Sequence, residues 1–453
     1  MLAFVDALLV AAAVLLAIWV WGLMDPHPVE AAFFHSRIHW LPLLTGLWLG
    51  LAVLNDLYNL RAVAGQIGRL FALGQVTLLE IAAYLLIYFF SSPERLLPRG
   101  IVLYHAALSF VLVGLWRVLY RYMAQGALQR RTVVVGAGRA GHTIVDAIHE
   151  HPGGGHDLLG FIDDDPAKQG QTIAGLPVLG TCRDLVDLVR REGVHQVVLA
   201  ITHDVQDELF RALMACQEQG AEITPMPVLY EELTGKVPIQ HVGDNWLAAL
   251  PLNHAAVGGF FPLFKRGLDV VVASIGLVIF GVLFPFVALA MVVDSPGPIF
   301  YRQERVGRGG ETFPVLKLRS MIPNAERKGE AVWAKERDPR VTRVGRIMRA
   351  THFDELPQFV NILKGEMSVV GPRPERPAFV AQLEEQVPFY RLRHAVKPGM
   401  AGWALVNYGY SSSIEDAMVK VQYDLYYIKH QSIYLDLLIL SKTLVDMVTL
   451  GGR

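Results

Sequence analysis

Four long apolar windows crowd the first 120 residues, at 2–23, 38–58, 70–90 and 101–120, and they constrain what this chain can fold into more than any other feature. Each runs to about 20 residues with few charges, the length an α-helix needs to cross the hydrocarbon of a bilayer. In that medium every backbone N–H and C=O must be satisfied within the segment, so the windows predict helices. The composition agrees, since 53% hydrophobic and 18% charged residues are too apolar for a soluble enzyme of 453 residues. The first window lacks the basic leader and small-residue cleavage site of a signal peptide and is read as a mature helix.

An even number of spans returns the chain to the side it started from. Arg61 and Arg69 in the second loop and Arg121, Arg130 and Arg131 after the fourth window, against Arg37, Arg95 and Arg99 elsewhere, favour a cytoplasmic exit. Asp6 and Glu80 fall inside windows, and the reading adopted is structural, with the two paired to one another or placed near an interface. A formal charge of −1 offers no whole-chain attraction to nucleic acid. Cys182 and Cys216 form no C-x-x-C or Cys/His cluster, which argues against a disulfide framework and a zinc site.

From residue 126 to 246 the pattern becomes α/β. "TVVVGAGRAGHTIVDAI" is an apolar β-rich run, a glycine turn and a helical pattern; "GFIDDD", "HQVVLAIT" and "AEITPMP" read as further strands, with helices at "CRDLVDLVRREG" and "ELFRALMACQEQG". Alternating strands and helices predict a Rossmann-like, mainly parallel sheet. Gly136, Gly138 and Gly141 fit G-x-G-x-x-G between strand and helix, a nest that can cradle a phosphate, with Asp163 placed for a ribose hydroxyl. The motif alone is weak, and no Tyr-x-x-x-Lys pair follows, so a scaffold role stands beside nucleotide or other anion binding.

A linker at 247–264 leads to a fifth apolar stretch, 268–293, with Pro285 inside it and basic residues at both ends: Lys265 and Arg266 before, Arg302, Arg305 and Arg308 after. A proline in a helix interior removes a hydrogen bond and bends the helix. Positive charge on both sides then predicts a re-entrant hairpin over 265–294 rather than a simple span. The closing "YLDLLILSKTLVDMVTL" has helical spacing and suits either the bilayer surface or the domain core.

The densest chemistry lies at "THFDELPQFVNILKGEMSVVGPRPERP". Asp354 is a candidate N-cap with Pro357 in the first turn, and a capped helix is the plain account of the pair Asp354 and Glu355. Arg349, Arg373 and Arg376 flank the pair, and "FPVLKLRSM" adds Lys317 and Arg319. Guanidinium groups gathered about two carboxylates suit a phosphate-bearing substrate with a divalent cation.

From Lys265 onward the chain resembles the bacterial sugar transferases, the monotopic polyprenyl-phosphate phosphoglycosyl transferases. The resemblance rests on "FKRGLDVVVAS", "GPIFYRQERVGRGGETFPVLKLRSM", "DPRVTRVGRIMRATHFDELPQFVNILKGEMSVVGPRPERP", "VKPGMAGWALVNY" and "YDLYYIKHQSIYLDLLILSKT", nearly the whole of 265–453. It implies four N-terminal transmembrane helices (1–125), the Rossmann-like block and an α-rich catalytic domain in a bacterial plasma membrane, with the catalytic side facing the cytoplasm. The implied reaction passes sugar 1-phosphate, glucose or galactose with N-acetylated sugars as alternatives, from a UDP-sugar to undecaprenyl phosphate and releases UMP. In exopolysaccharide, capsule or O-antigen synthesis this is the first membrane step.

By the same resemblance Asp354 is the nucleophile that forms an aspartyl phospho-sugar. Glu355 assists Mg²⁺ placement or proton transfer, Arg349 and Arg373 match phosphate-binding arginines, and Lys317 and Arg319 match the basic motif near the site; Arg376 joins these from its place in the sequence as a substrate- or phosphate-binding candidate. Pro285 is the helix break, although Phe284 stands where many members have Ser. Inner-membrane lipid and a homodimeric partner are further expectations. A nucleotide-sugar oxidoreductase or epimerase built on the glycine motif, and a non-catalytic scaffold, are the competing readings.

Overall fold

In the computed structural model, residues 2–24, 39–54, 57–58, 66–90, 97–124, 129–201, 206–241, 261–323, 325, 338–409 and 413–448 are described. The chain divides into two compact units, 1–234 and 235–453. Most of the expected linker, 247–260, lies outside the described residues.

The first unit begins with helices α1 (Leu2–Met24), α2 (Trp40–Leu54), α3 (Gln66–Phe90) and α4 (Arg99–Ala124), one at each apolar window. Of these, α1 and α4 are long and apolar enough to cross a membrane, while α2 and α3 carry shorter apolar runs, 40–53 and 73–89. Asp6 and Glu80 do not pair with one another, a correction to the sequence reading. Asp6 meets Arg117 at 2.5 Å, Glu80 meets His105 at 3.0 Å, and Arg117 also donates to the Leu57 carbonyl at 2.9 Å. Both partners come from α4, because a charge buried among apolar helices must find its counterpart on whichever neighbour faces it.

The α/β block follows: β1 (Arg130–Val135), α5 (Arg139–Glu150), β2 (His156–Ile162), β3 (Thr172–Ile173), β4 (Leu176–Gly180), α6 (Leu185–Glu192), β5 (Gln196–Leu199), α7 (Asp207–Glu218), β6 (Glu222–Pro225) and α8 (Met226–Thr234). The sheet order is β3-β4-β2-β1-β5-β6, parallel except where β3 pairs antiparallel with β4. Alternate residues of one strand feed two cores: Val134 joins Val198 and Phe161, whereas Val133 and Val135 join Val197 and Ile162. That is the period-two signature of a sheet covered on both faces.

The second unit opens earlier than the resemblance would place it. Residues 235–241, which the sequence reading assigns to the α/β block, pack here: Val237 and Ile239 lie in its core, and Val237 N donates to Gln422 O at 3.1 Å. Its elements are α9 (Phe261–Asp294), β7 (Phe300–Val306), β8 (Thr312–Leu318), α10 (Arg343–Ala350), α11 (Phe359–Lys364), β9 (Ser368–Val370), α12 (Pro377–Gln386), β10 (Gly399–Ala401), α13 (Trp403–Tyr408), α14 (Ile414–Lys429) and α15 (Ile433–Val448). β7 and β8 form an antiparallel hairpin, and β9 pairs in parallel with β10. The closing helix α15 buries Leu435, Leu438 and Ile439 in the core, so packing claims the face that was also open to the bilayer.

Helix α9 is long and apolar enough to cross a membrane and runs without interruption through Pro285. One stripe, including Val271, Ile275, Val278, Val282, Phe286, Leu289 and Val293, is exposed, and its spacings of three and four residues mark a single helix face. The opposite face is fastened at both ends to the same unit. At the start, Lys265 Nζ bonds Asp436 Oδ2 at 2.7 Å, Arg266 donates to the carbonyls of Ile362 and Leu363, and Asp269 accepts from Ser368 and Val369 N. At the end, Asp294 Oδ2 accepts from Val344 N at 2.9 Å. Between them Gly276 makes room for Phe359, whose ring would lie 2.1 Å from any added Cβ.

Candidate active site

Three segments converge beside α9. The hairpin supplies Lys317 from β8, α10 supplies Arg349, and a 3-10 turn at Phe353–Gln358 carries Asp354 and Glu355. α10 approaches the hairpin closely because Gly345 has no side chain; a Cβ there would stand 2.0 Å from Ser320 O. Thr342 starts that helix by accepting from Gly345 N at 2.9 Å. His352, with φ 55, then turns the chain into the dyad. Asn361 locks the following helix to β8: its Oδ1 accepts from Leu316 N at 3.2 Å and its Nδ2 donates to Pro314 O at 2.8 Å.

Asp354 is therefore not the N-cap that the sequence suggests, and no side chain caps this turn. An Asp at the cap would accept from the N–H two or three residues on, and Pro357 removes one of those donors. The carboxylate is left for other work.

The two neighbours are both 7% exposed but live in opposite settings. Glu355 Oε1 accepts from Lys317 Nζ at 2.8 Å and from Arg373 Nη2 at 2.5 Å, and Oε2 accepts from Arg373 Nη1 at 3.2 Å. Burial alone would raise its carboxyl; Arg373 and Lys317 more than reverse that and hold it well below the ordinary range. Among the described residues no hydrogen bond or ion pair reaches the Asp354 carboxylate. Burial first, and the charge of Glu355 second, push that carboxyl above its ordinary value, against the pull of Lys317, Arg349 and Arg373. Lys317 itself is pushed down by burial, with Glu355 opposing the shift.

The remaining predicted residues divide. Arg349 donates from Nε to Ser320 Oγ at 3.1 Å while its charge acts on Asp354. Arg376 stands at the start of α12 with its guanidinium 5.6 Å from the Phe379 ring. Arg319 is turned to the end of α9, donating to the carbonyls of Ser295 and Pro296. Among the described residues no group of three or more His, Cys, Asp or Glu is arranged for a metal, so a cation here would rest on the dyad and on substrate oxygens.

In the α/β block the three motif glycines take the places the fingerprint requires. Gly136 has φ +104, a Cβ on Gly141 would lie 2.1 Å from Gly136 O, and Gly138 faces open space at the start of α5. Asp163, however, is already bonded to this loop: Oδ2 accepts from Ala137 N at 2.7 Å and from Lys168 Nζ at 2.9 Å. Burial raises its carboxyl, but Lys168 and the N–H groups of Asp165 and Ala137 outweigh that and lower it.

Sequence reasoning missed the roles of Asn361, the half-buried Arg305 and the buried Arg393; the two arginines donate to the carbonyls of Pro374 and Arg373. A signal was present in the prolines of "GPRPERP", which leave that loop short of backbone donors.

The chain matches the bacterial sugar transferase family over residues 261–450 and a family described as a CoA-binding domain over residues 54–227. It is 41% identical to a UDP-N-acetylgalactosamine-undecaprenyl-phosphate N-acetylgalactosaminephosphotransferase of Aeromonas hydrophila, over 55% of this chain and 58% of that one. It is 32% identical to a UDP-glucose:undecaprenyl-phosphate glucose-1-phosphate transferase of Escherichia coli K12, over 70% and 68%. The corresponding enzyme of Xanthomonas campestris pv. campestris is 31% identical over 72% and 68%. The chain thus spans little more than half of the first relative and about two thirds of the other two.

Proposed function

Because the chain belongs to the bacterial sugar transferase family, we propose that it is a membrane phosphoglycosyl transferase, moving a hexose 1-phosphate from a UDP-sugar to undecaprenyl phosphate with release of UMP. The observation that carries the reading is the division within the dyad: Glu355 is held by two cations, whereas Asp354 is buried beside them with no bonding partner among the described residues. Asp354 then attacks the β-phosphorus, the bond to the UMP oxygen breaks, and the sugar phosphate is held on Asp354. An oxygen of the lipid phosphate attacks the same phosphorus, forming the diphosphate and returning the carboxylate. Arg373, Lys317 and Arg349 line this path as cations facing the phosphoryl oxygens.

The dyad fits a cation modestly: Glu355 Oε1 is filled by two donors, so Asp354 and one position on Oε2 would hold it together with substrate phosphate. Mg²⁺ there would neutralise charge on the diphosphate.

Both ends of α9 are fastened to one unit, which supports a helix lodged in a single leaflet rather than crossing the bilayer, with the dyad on the cytoplasmic side of a bacterial plasma membrane. A cysteine in place of Glu311 tests this, since the native cysteines are buried; labelling from outside the cell would replace it with a true span. An oxidoreductase reading finds no support at the glycine loop, where Asp163 is already bonded. Purified protein with Mg²⁺, undecaprenyl phosphate and a panel including UDP-glucose, UDP-galactose and UDP-N-acetylgalactosamine should release UMP with at least one donor. Chelation and Asp354→Asn should each stop that release, and turnover by the Asn variant would sink the proposal.

A further inference from the structure

The loop that carries Arg373 reads "GPRPERP", and its prolines at 372, 374 and 377 have no backbone N–H. Such a segment brings carbonyls inward without matching donors of its own, and each buried carbonyl must find one elsewhere. Pro372 O accepts from Gly399 N at 2.9 Å and Glu375 O from Val306 N at 2.9 Å. The two carbonyls between them are met by guanidinium groups: Arg373 O by Arg393 Nη2 at 3.0 Å and Pro374 O by Arg305 Nη1 at 3.0 Å.

Arg393 is the more deeply set of the two. It is 7% exposed, lies in the 3-10 turn Tyr390–Ala395, and donates from Nη1 to Tyr390 Oη at 2.7 Å. The nitrogen that meets Arg373 O also meets Asp424 Oδ2 on α14, at 2.8 Å, and Asp424 is 1% exposed. A buried ion pair serving only the core could sit anywhere in it. Here one nitrogen joins the pair to the backbone of a residue whose side chain grips Glu355.

We propose that Arg393, charge-balanced by Asp424, is a positioning residue: its bond to the Arg373 carbonyl fixes the backbone from which the Arg373 guanidinium reaches Glu355, beside Asp354. The inference rests on the dyad reading above. Neither Arg393 nor Asp424 contacts substrate in this account; they act through Arg373, and a displacement of that residue by about 1 Å is enough to cost roughly 100-fold in rate.

The test replaces the pair with apolar residues, Arg393→Met with Asp424→Leu, an exchange that buried ion pairs often tolerate in stability. UMP release is measured beside thermal unfolding, with Asp354→Asn in the same assay; an inactive Asn variant shows that the dyad reading stands on its own. The expected result is a kcat lower by roughly 100-fold with KM for the UDP-sugar little changed. Adding Arg373→Lys should then lower kcat no further than Arg373→Lys does alone, because both act at one point. Wild-type kcat in the apolar pair, or losses that multiply with Arg373→Lys, would overturn the proposal. Should the apolar pair not fold, Asp424→Asn decides: it keeps the shape and removes the charge, and a fall in kcat at constant KM supports the role while an unchanged kcat refutes it.

Discussion

Replacing the two dyad carboxylates by their amides, one at a time, should have unequal effects on stability although both lower turnover. Glu355 accepts three N–H bonds from two cations, at 2.8, 2.5 and 3.2 Å. Removing one partner of a buried charged pair costs about 3–5 kcal/mol. Lys317 and Arg373 keep 20% and 27% of their side-chain exposure, so water recovers part of the loss and the lower end applies, about 3 kcal/mol. For a unit of this size that is a fall of roughly 6–12 °C in unfolding midpoint. Asp354 has no such partners among the described residues and carries a charge that burial and Glu355 disfavour; Asp354→Asn should leave the midpoint unchanged or raise it.

The pH dependence separates the two further. The depressed carboxyl of Glu355 contributes stability that is fully present above the unfolded value, about 4.3, and lost only as pH falls toward its lower folded value. The Glu355→Gln deficit should therefore persist at mildly acid pH. The raised carboxyl of Asp354 costs stability once ionised, so any gain from Asp354→Asn appears near neutrality and vanishes below about 3.9. Intrinsic tryptophan fluorescence of purified protein during heating reads both midpoints. Equal losses from the two variants would refute the division of the dyad into a held and an unheld carboxylate.

Gly276→Ala would place a Cβ 2.1 Å from the Phe359 ring and should cost about 1–3 kcal/mol, with slower UMP release although the dyad is intact; an unchanged unfolding midpoint would contradict the fit described. Arg319→Met strips donors from the Ser295 and Pro296 carbonyls and should destabilise by about 2–4 kcal/mol without raising KM for the UDP-sugar. A raised KM at full stability would return Arg319 to phosphate binding. With Asp163 already engaged by Ala137 and Lys168, calorimetric titration of the protein with NADH or CoA should give background heats, and saturable binding would reopen the nucleotide reading.

Where the apolar pattern is local, sequence located the structure well: helices stand at all four N-terminal windows, and strands stand at "GFIDDD", "HQVVLAIT" and "AEITPMP". Failures came where a neighbour distant in sequence decides. Lys317 and Arg319 stand together in one basic motif of the sequence, but β8 ends at Leu318, and Arg319 turns to the end of α9. Asp354 is a local exception: its own type favours a cap, but Pro357, three residues on and legible in the sequence, withdraws a donor the cap needs. Asp6 and Arg117 lie 111 residues apart, and Arg393 and Asp424 31 apart. No periodicity relates such partners; only the packed chain brings them together.

The fastening of α9 also bears on how the protein would meet membranes of different thickness. Spanning helices answer a thicker or thinner bilayer by tilting. A helix held by Lys265, Arg266 and Asp269 at one end and by Asp294 at the other cannot tilt apart from the unit that holds it, and the ring of Phe359 seated at Gly276 stops it from sliding. On the proposed single-leaflet placement, the unit should ride with that leaflet as one float, keeping Asp354 at a constant height above the lipid phosphates whatever the acyl length beneath.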